Sequence, residues 1–227
     1  MKKTLKKYLR NKSVIIGGTI VLVVIFSALF APFITSHDAY EMNMSERLQE
    51  PSDENLLGTD QFGRDLLTRI IYGSRVSIKV GVISVGIAVV IGVFLGLVSG
   101  YYGGIIDKVI MRLVDVFLSF PVILLAIALV AALGPSTGSV MIALGLVYWT
   151  RYTRLVRSSV LSIKEEEYVL AAITIGASNM RIIFKYILPN AMAPIIVMAT
   201  LGLGTAIIAE SALSFLGLGI QYLDLIY

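Results

Sequence analysis

Apolar residues in this chain gather into long runs separated by polar stretches, and the lengths of those runs set the first expectation. Ser13 to Ser36 carries no charged residue, and neither does Val80 to Ile106. A helix crossing a hydrocarbon core of about 30 Å needs roughly 20 apolar residues, so each run predicts one span. Val116 to Leu133 reads as a third, with Pro121 near its start. Gly134–Ser139 is a turn. Val140 to Thr150 is short alone and is expected to continue as helix through Arg151, Arg154 and Arg157. A fifth run extends from about Asn190 to Ala209 and meets Glu210 at its far end. The expected fold is an all-α integral membrane protein of five spans.

Composition agrees with that class. Hydrophobic residues make up 57% and charged residues 15%, with a mean hydropathy of +0.86. Soluble domains sit near a quarter charged. There is no cysteine, so disulfides and thiolate metal sites are excluded, and the single histidine, His37, argues against a histidine metal centre or a catalytic triad. The net charge of +4 does not read as a nucleic-acid footprint, because the basic residues flank apolar runs and act as topology signals.

Residues 1–12 hold Lys2, Lys3, Lys6, Lys7, Arg10 and Lys12 without an acid. The following run is too long for a usual signal-peptide core, so it reads as a retained first span, residues 13–36. Residues 37–75 form a polar, on balance acidic loop. With the N-terminus inside, residues 1–12, about 101–115 and 151–188 become cytoplasmic and hold most of the basic residues. That bias follows the positive-inside rule.

Within the spans, Gly92, Gly96 and Gly100 are spaced by four and lay a smooth strip on one helix face, suited to close helix packing. Arg112 and Asp115 are placed for a local pair. Trp149, Arg154 and Arg157 read as interfacial anchors whose long stems reach the headgroups.

One cytoplasmic stretch differs from an ordinary loop. Between Glu165 and Asn190, Tyr168, Ala171, Ala172 and Ile175 recur at helical spacing, Gly176 allows a sharp turn, and Met180, Ile183, Phe184 and Ile187 form a second stripe. Pro189 is suited to opening the next span. The expectation is a compact helix–turn–helix knob on the membrane surface.

The residues Glu167-Tyr168-Val169, Ala171-Ala172, Gly176 and Leu188-Pro189-Asn190 resemble the EAA loop of ABC importer permeases, here residues 162–189. One departure is that Leu170, rather than Glu, precedes the alanine pair, and the acid sits earlier, at Glu167. That variant resembles the peptide-importer branch. The string Leu57-Gly58-Thr59-Asp60-Gln61-Phe62-Gly63-Arg64-Asp65, followed by Tyr72-Gly73-Ser74-Arg75, is very similar to the second permease subunit of dipeptide and oligopeptide importers. Physically, Gly58 and Gly63 permit tight turns, and Asp60, Arg64 and Asp65 are placed to pair or to cap the next helix. Capped turns are favoured over a substrate site. Glu210 to Gly219, ESALSFLGLG, also matches the family, and a partly solvated structural acid is favoured for Glu210.

The resemblance implies a permease fold in which residues 76–221 form the core. It implies that Glu167, Tyr168, Ala171, Ala172, Gly176, Leu188 and Pro189 form the element that docks on a separate ATPase subunit. Its expected partners are ABC ATPases, a homologous second permease, an external substrate-binding protein and the lipid bilayer of a bacterial or archaeal cell membrane. The family has a sixth span after the LSFLGLG string, so the five runs here are five of an expected six. Residues 222–227 read as an atypical tail, consistent with a truncated chain or an incomplete record.

No G-x-x-x-x-G-K-[ST] string occurs, so ATP hydrolysis is expected elsewhere, and neither a catalytic set, a cofactor site nor a metal site is expected. A secondary transporter would call for ionisable residues at the midplane or inverted repeats. A non-transport scaffold would have no use for a charged, glycine-hinged knob. Nickel and glutathione importers have similar permeases, and the sequence leaves those cargoes open beside di- and oligopeptides.

Overall fold

The computed structural model describes residues 11–219, so most of the basic N-terminal stretch and the tail from 220 onward lie outside the described residues. Among the described residues, every extended element is a helix. The chain divides into two compact units, residues 1–79 and 80–227.

In the first unit, helix α1 spans Lys12–Leu29, with the Asn11 side chain accepting from the Ser13 amide at 3.0 Å as its N-cap. Its 18 residues rise about 27 Å, close to the thickness of a hydrocarbon core. Only Ala28 is buried by the rest of the chain. A helix apolar all round and left bare by its own fold is matched to lipid. The predicted span 13–36 is not one rod. It breaks at Phe30 and resumes as the short α2, Ala31–Ile34, because Pro32 has no amide to continue the ladder.

The following loop holds one short 3₁₀ turn, Met44–Glu46, and ends where α3, Leu66–Tyr102, begins. The expectation of a span starting near Val80 therefore falls short at its front: 37 residues form one helix that takes in Arg69, Arg75 and Lys79.

In the second unit, α3 is followed by α4, Gly104–Leu118, and α5, Val122–Leu133. The two meet at an angle of 91°. This corrects the straight third span read from Val116 to Leu133. Pro121 forces an extended backbone at the boundary, and the polar positions of α4 give it a single apolar side. Helix α6, Thr137–Lys164, starts at an N-cap where the Ser139 amide donates to Ser136 Oγ at 3.0 Å. It is the most enclosed helix of the unit, with Val140, Leu144, Val156 and Val160 fully buried.

The glycine strip of α3 faces α6. A β-carbon added to Gly92 or Gly100 would collide with Tyr152 or Val160, and one on Gly96 would stand 2.6 Å from Val156 Cβ. Three positions spaced by four on one helix thus meet three positions spaced by four on the other, and only glycine permits that approach.

Helix α7 spans Glu167–Thr174. Helix α8, Asn179–Arg181, runs without a break through a π-helical segment, Ile182–Ile187, into α9, Leu188–Phe215. Pro189 accordingly does not open a separate span. It lies inside a continuous 37-residue helix, Asn179–Phe215. The local widening answers its ring: the Leu188 amide reaches back to Ile183 O, one residue further than α-helical geometry.

Among the described residues, three helices are long and apolar enough to cross a membrane, or four if the bent α4–α5 pair counts as one span. Five were expected from the hydropathy runs. The difference is chiefly α6, whose apolar residues face the protein core and whose second half carries Arg151, Arg154, Arg157 and Lys164.

Candidate functional site

The knob begins where α6 ends. Glu165 caps that helix, and Glu166 starts α7 with Glu167 in the first turn, where the helix dipole favours an acid. Helix α7 then ends in a Schellman motif. Gly176 has φ +78°, its amide bonds Ile173 O at 3.0 Å, and the Ala177 amide bonds Ala172 O at 3.0 Å. The sharp turn expected at Gly176 is present, and a β-carbon there would strain the left-handed backbone.

The apolar stripe read from the sequence for α7 is divided by the fold. Val169 packs into the chain's own apolar cluster with Val156, Val160, Ile182, Ile183 and Ile187. Ala172 is 4% exposed, whereas Tyr168, Ala171 and Ile175, assigned to the same stripe, are exposed. The second stripe divides too: Ile183 and Ile187 are buried, while Met180 and Phe184 face outward. The knob therefore presents Tyr168, Leu170, Ile173, Ile175, Met180 and Phe184 on its outer surface, beside exposed Glu165, Glu166 and Glu167. Ile175 is 82% exposed. At the end of the knob Leu188 is half-buried and Pro189 is exposed.

Two side chains fasten the knob to the end of α3. Lys164 Nζ donates to Tyr101 O at 2.8 Å and lies 5.4 Å from the centre of the Tyr101 ring. The Tyr101 hydroxyl donates to Asn179 Oδ1 at 2.9 Å. The knob is thus held on both sides of its turn by one tyrosine.

The bent helix α4 is clamped to α6 by charge. Arg157 makes a two-pronged contact with Asp107, Nε to Oδ1 at 2.5 Å and Nη2 to Oδ2 at 2.6 Å, and Ser99 Oγ donates to the same carboxylate at 2.5 Å. Arg154 pairs with Asp115 at 2.5 Å on the exposed side. These contacts replace the local Arg112–Asp115 pair expected from spacing, and they give Arg154 and Arg157 partners rather than headgroup anchorage. Trp149 is buried, its ring edge-on to Phe117 at 5.5 Å. Sequence offered one signal for the clamp, two acids facing two arginines of opposite sign. It offered none for the register joining them across 39 and 50 residues.

The motif of the first unit is organised on Asp60. Its Oδ1 accepts from the amides of Phe62 at 2.8 Å and Arg64 at 3.1 Å, and its Oδ2 binds the Arg64 guanidinium and Arg69. Burial raises the Asp60 pKa, but the Arg64 side chain and the two amides outweigh it and hold the carboxyl at about 2. Thr59 Oγ1 bonds Glu46 O and accepts from the Gln49 amide. Gly58 and Gly63 both have positive φ, and Gly63 sits directly against the Asn43 backbone. Asp65 caps α3, its Oδ2 accepting from the Thr68 amide at 2.7 Å. The six motif residues thus serve turns and a cap within the loop.

Glu210 lies within α9, buried, and accepts from Ser214 Oγ at 2.6 Å. The partly solvated acid expected there is enclosed. Among the described residues no group of three histidine, cysteine, aspartate or glutamate side chains could hold a metal.

Residues 92–227 match the family described as binding-protein-dependent transport system inner membrane component. Residues 1–51 match the one described as the N-terminal TM domain of oligopeptide transport permease C. The chain is 52% identical over 220 residues to a dipeptide transport system permease protein of Alkalihalophilus pseudofirmus, covering 97% of this chain and 72% of that relative. Its counterpart in Bacillus subtilis is 44% identical over 212 residues, 93% of this chain and 66% of the relative. An oligopeptide transport system permease protein of Bacillus subtilis is 38% identical over 219 residues, 96% of this chain and 72% of the relative.

Proposed function

The chain belongs to the binding-protein-dependent transport system inner membrane components, and from that premise we propose that its knob is where a separate ATPase drives peptide import. The chain is a permease subunit of an ABC importer of the dipeptide and oligopeptide branch. In this reading it lines half of a translocation path beside a second permease. An external binding protein delivers a di- or oligopeptide, and ATP hydrolysis takes place on other chains. Residues 1–12 and the knob lie in the cytoplasm, and the acidic loop lies outside.

The observation that carries the coupling role is the outward apolar surface of α7 and α8, with Ile175 at its tip. Apolar side chains gathered on a water-facing knob are suited to a protein partner. The Schellman turn and the Tyr101 tether make the knob rigid, so a push on Ile175 is passed to α3 and α9 rather than absorbed. Force transmission between subunits needs such a two-state, stiffly connected element.

The test is co-purification. Ile175→Asp places a charge at the centre of the apolar surface without touching the chain's own core. The ATPase subunits should fall away from detergent-solubilised complexes, and cargo-stimulated ATP hydrolysis should drop with them, at unchanged membrane levels of this chain. Wild-type association of the Asp variant would remove the coupling assignment. Reporter fusions at Lys12, Asp53 and Ala177 test the orientation, with Asp53 alone expected outside.

A further inference from the structure

Three arginines follow one another down α6 at intervals of three, and their surroundings differ. Arg154 and Arg157 are each neutralised by an aspartate of α4. Arg151 has no carboxylate partner among the described residues, and its guanidinium lies 5.6 Å from the centre of the Tyr148 ring. It stands near the midpoint of Thr137–Lys164 and about 9 Å further along the axis than Arg157. Its side chain is exposed, and an unneutralised guanidinium beside an opening is available to an anion.

Arg151 borders a cleft of about 180 Å³ between α6 and α9, lined also by Tyr148, Tyr152, Met198, Leu201 and Thr205. The α9 residues again lie near the midpoint of their helix, Leu188–Phe215. The two tyrosine hydroxyls point across the cleft and make only long hydrogen bonds to backbone, Tyr152 to Met198 O at 3.4 Å and Tyr148 to Thr205 O at 3.5 Å. Such donors give up little when they turn to a better acceptor. One planar cation and two hydroxyl donors around a small opening, with Met198 and Leu201 beside them, match a carboxylate attached to an apolar or small side chain.

We propose that this cleft is a transit subsite for the C-terminal carboxylate of the imported peptide, held by Arg151 with Tyr148 and Tyr152 as hydroxyl donors. The assignment rests on the peptide-permease reading above. It gives this chain a direct hand on cargo, in addition to its coupling knob, and it predicts a preference for a free C-terminus.

The experiment uses the complete importer in proteoliposomes with its binding protein and ATP. The probe is a dipeptide carrying a diazirine on its C-terminal side chain. Photolysis during turnover should label residues 148–152 or 198–205 of this chain. Arg151→Gln should reduce that label severalfold and raise KM for uptake about tenfold, and Arg151→Lys should restore most of both. Label mapping elsewhere in wild type would overturn the subsite, as would an Arg151→Gln importer that labels and transports like wild type. Separation of the two permeases by Arg151→Gln, without loss of label from the remaining complexes, would show that Arg151 faces a protein acid instead and would also overturn it. If the intact wild-type importer takes up no peptide at all, the cargo reading itself falls and the subsite falls with it.

Discussion

The hydroxyl of Tyr101 donates to Asn179 Oδ1 at 2.9 Å, joining the last turn of α3 to the far side of the knob across 78 residues of chain. The backbone oxygen of the same tyrosine is held by Lys164. Tyr101→Phe removes the first contact and leaves the second. A net hydrogen bond contributes about 1 kcal/mol, so the variant should fold but hold the knob less firmly. The expected result is a roughly threefold to fivefold fall in peptide transported per ATP hydrolysed. Parallel measurement of uptake and phosphate release checks it.

Adjacent alanines in α7 should behave oppositely. Ala172 is buried, whereas Ala171 is exposed. Ala172→Trp overfills a closed core and should cost about 1–3 kcal/mol or more, lowering the membrane level and thermal stability of the chain. Ala171→Trp should leave both unchanged and weaken ATPase binding. Equal melting temperatures for the two variants in detergent would refute this division.

The Gly96–Val156 contact of the α3–α6 interface should not tolerate a side chain on the glycine. A β-carbon on Gly96 would stand 2.6 Å from Val156 Cβ and 2.9 Å from Thr153 O. Gly96→Val should separate the helices and destabilise by several kcal/mol, beyond the about 1–3 kcal/mol of ordinary overpacking, because one of the opposing atoms is backbone. Val156→Ala in the same chain should recover only part of the loss. Size-exclusion profiles of fluorescently tagged variants report the outcome.

Strong acid should loosen the Asp60 loop. Its carboxyl is held at about 2 in the folded chain, against an ordinary value of 3.8. A lowered folded pKa contributes stability that is complete above 3.8 and is lost as pH falls toward about 2. The shift corresponds to about 2 kcal/mol. Hydrogen exchange at the Phe62 and Arg64 amides should therefore accelerate across that window, and Asp60→Asn should show fast exchange at neutral pH with no further rise on acidification.

Much of this protein is fixed by local chemistry that a linear reading reaches. Runs without charge specify membrane helices, because an unpaired charge in lipid is costly. Gly92, Gly96 and Gly100 announce a close approach, since their spacing aligns them on any helix. Gly176 announces a turn, and Asp60, Gly63 and Asp65 announce a capped loop, because each acts on backbone a few residues away. What the chain alone leaves open is which face of a helix is covered, and by what. Ala171 and Ala172 are the same residue on the same short helix, and only tertiary packing buries one and exposes the other. Asp115 has Arg112 within local reach, yet α4 turns 91° from α5 and the carboxylate meets Arg154 instead. Arg151, Arg154 and Arg157 are equivalent in periodicity, and tertiary packing alone gives two of them aspartates and leaves the third beside a cleft. Contacts across 39 or 50 residues depend on how helices cross, a property of side-chain packing summed over whole interfaces and carried by no single stretch of sequence.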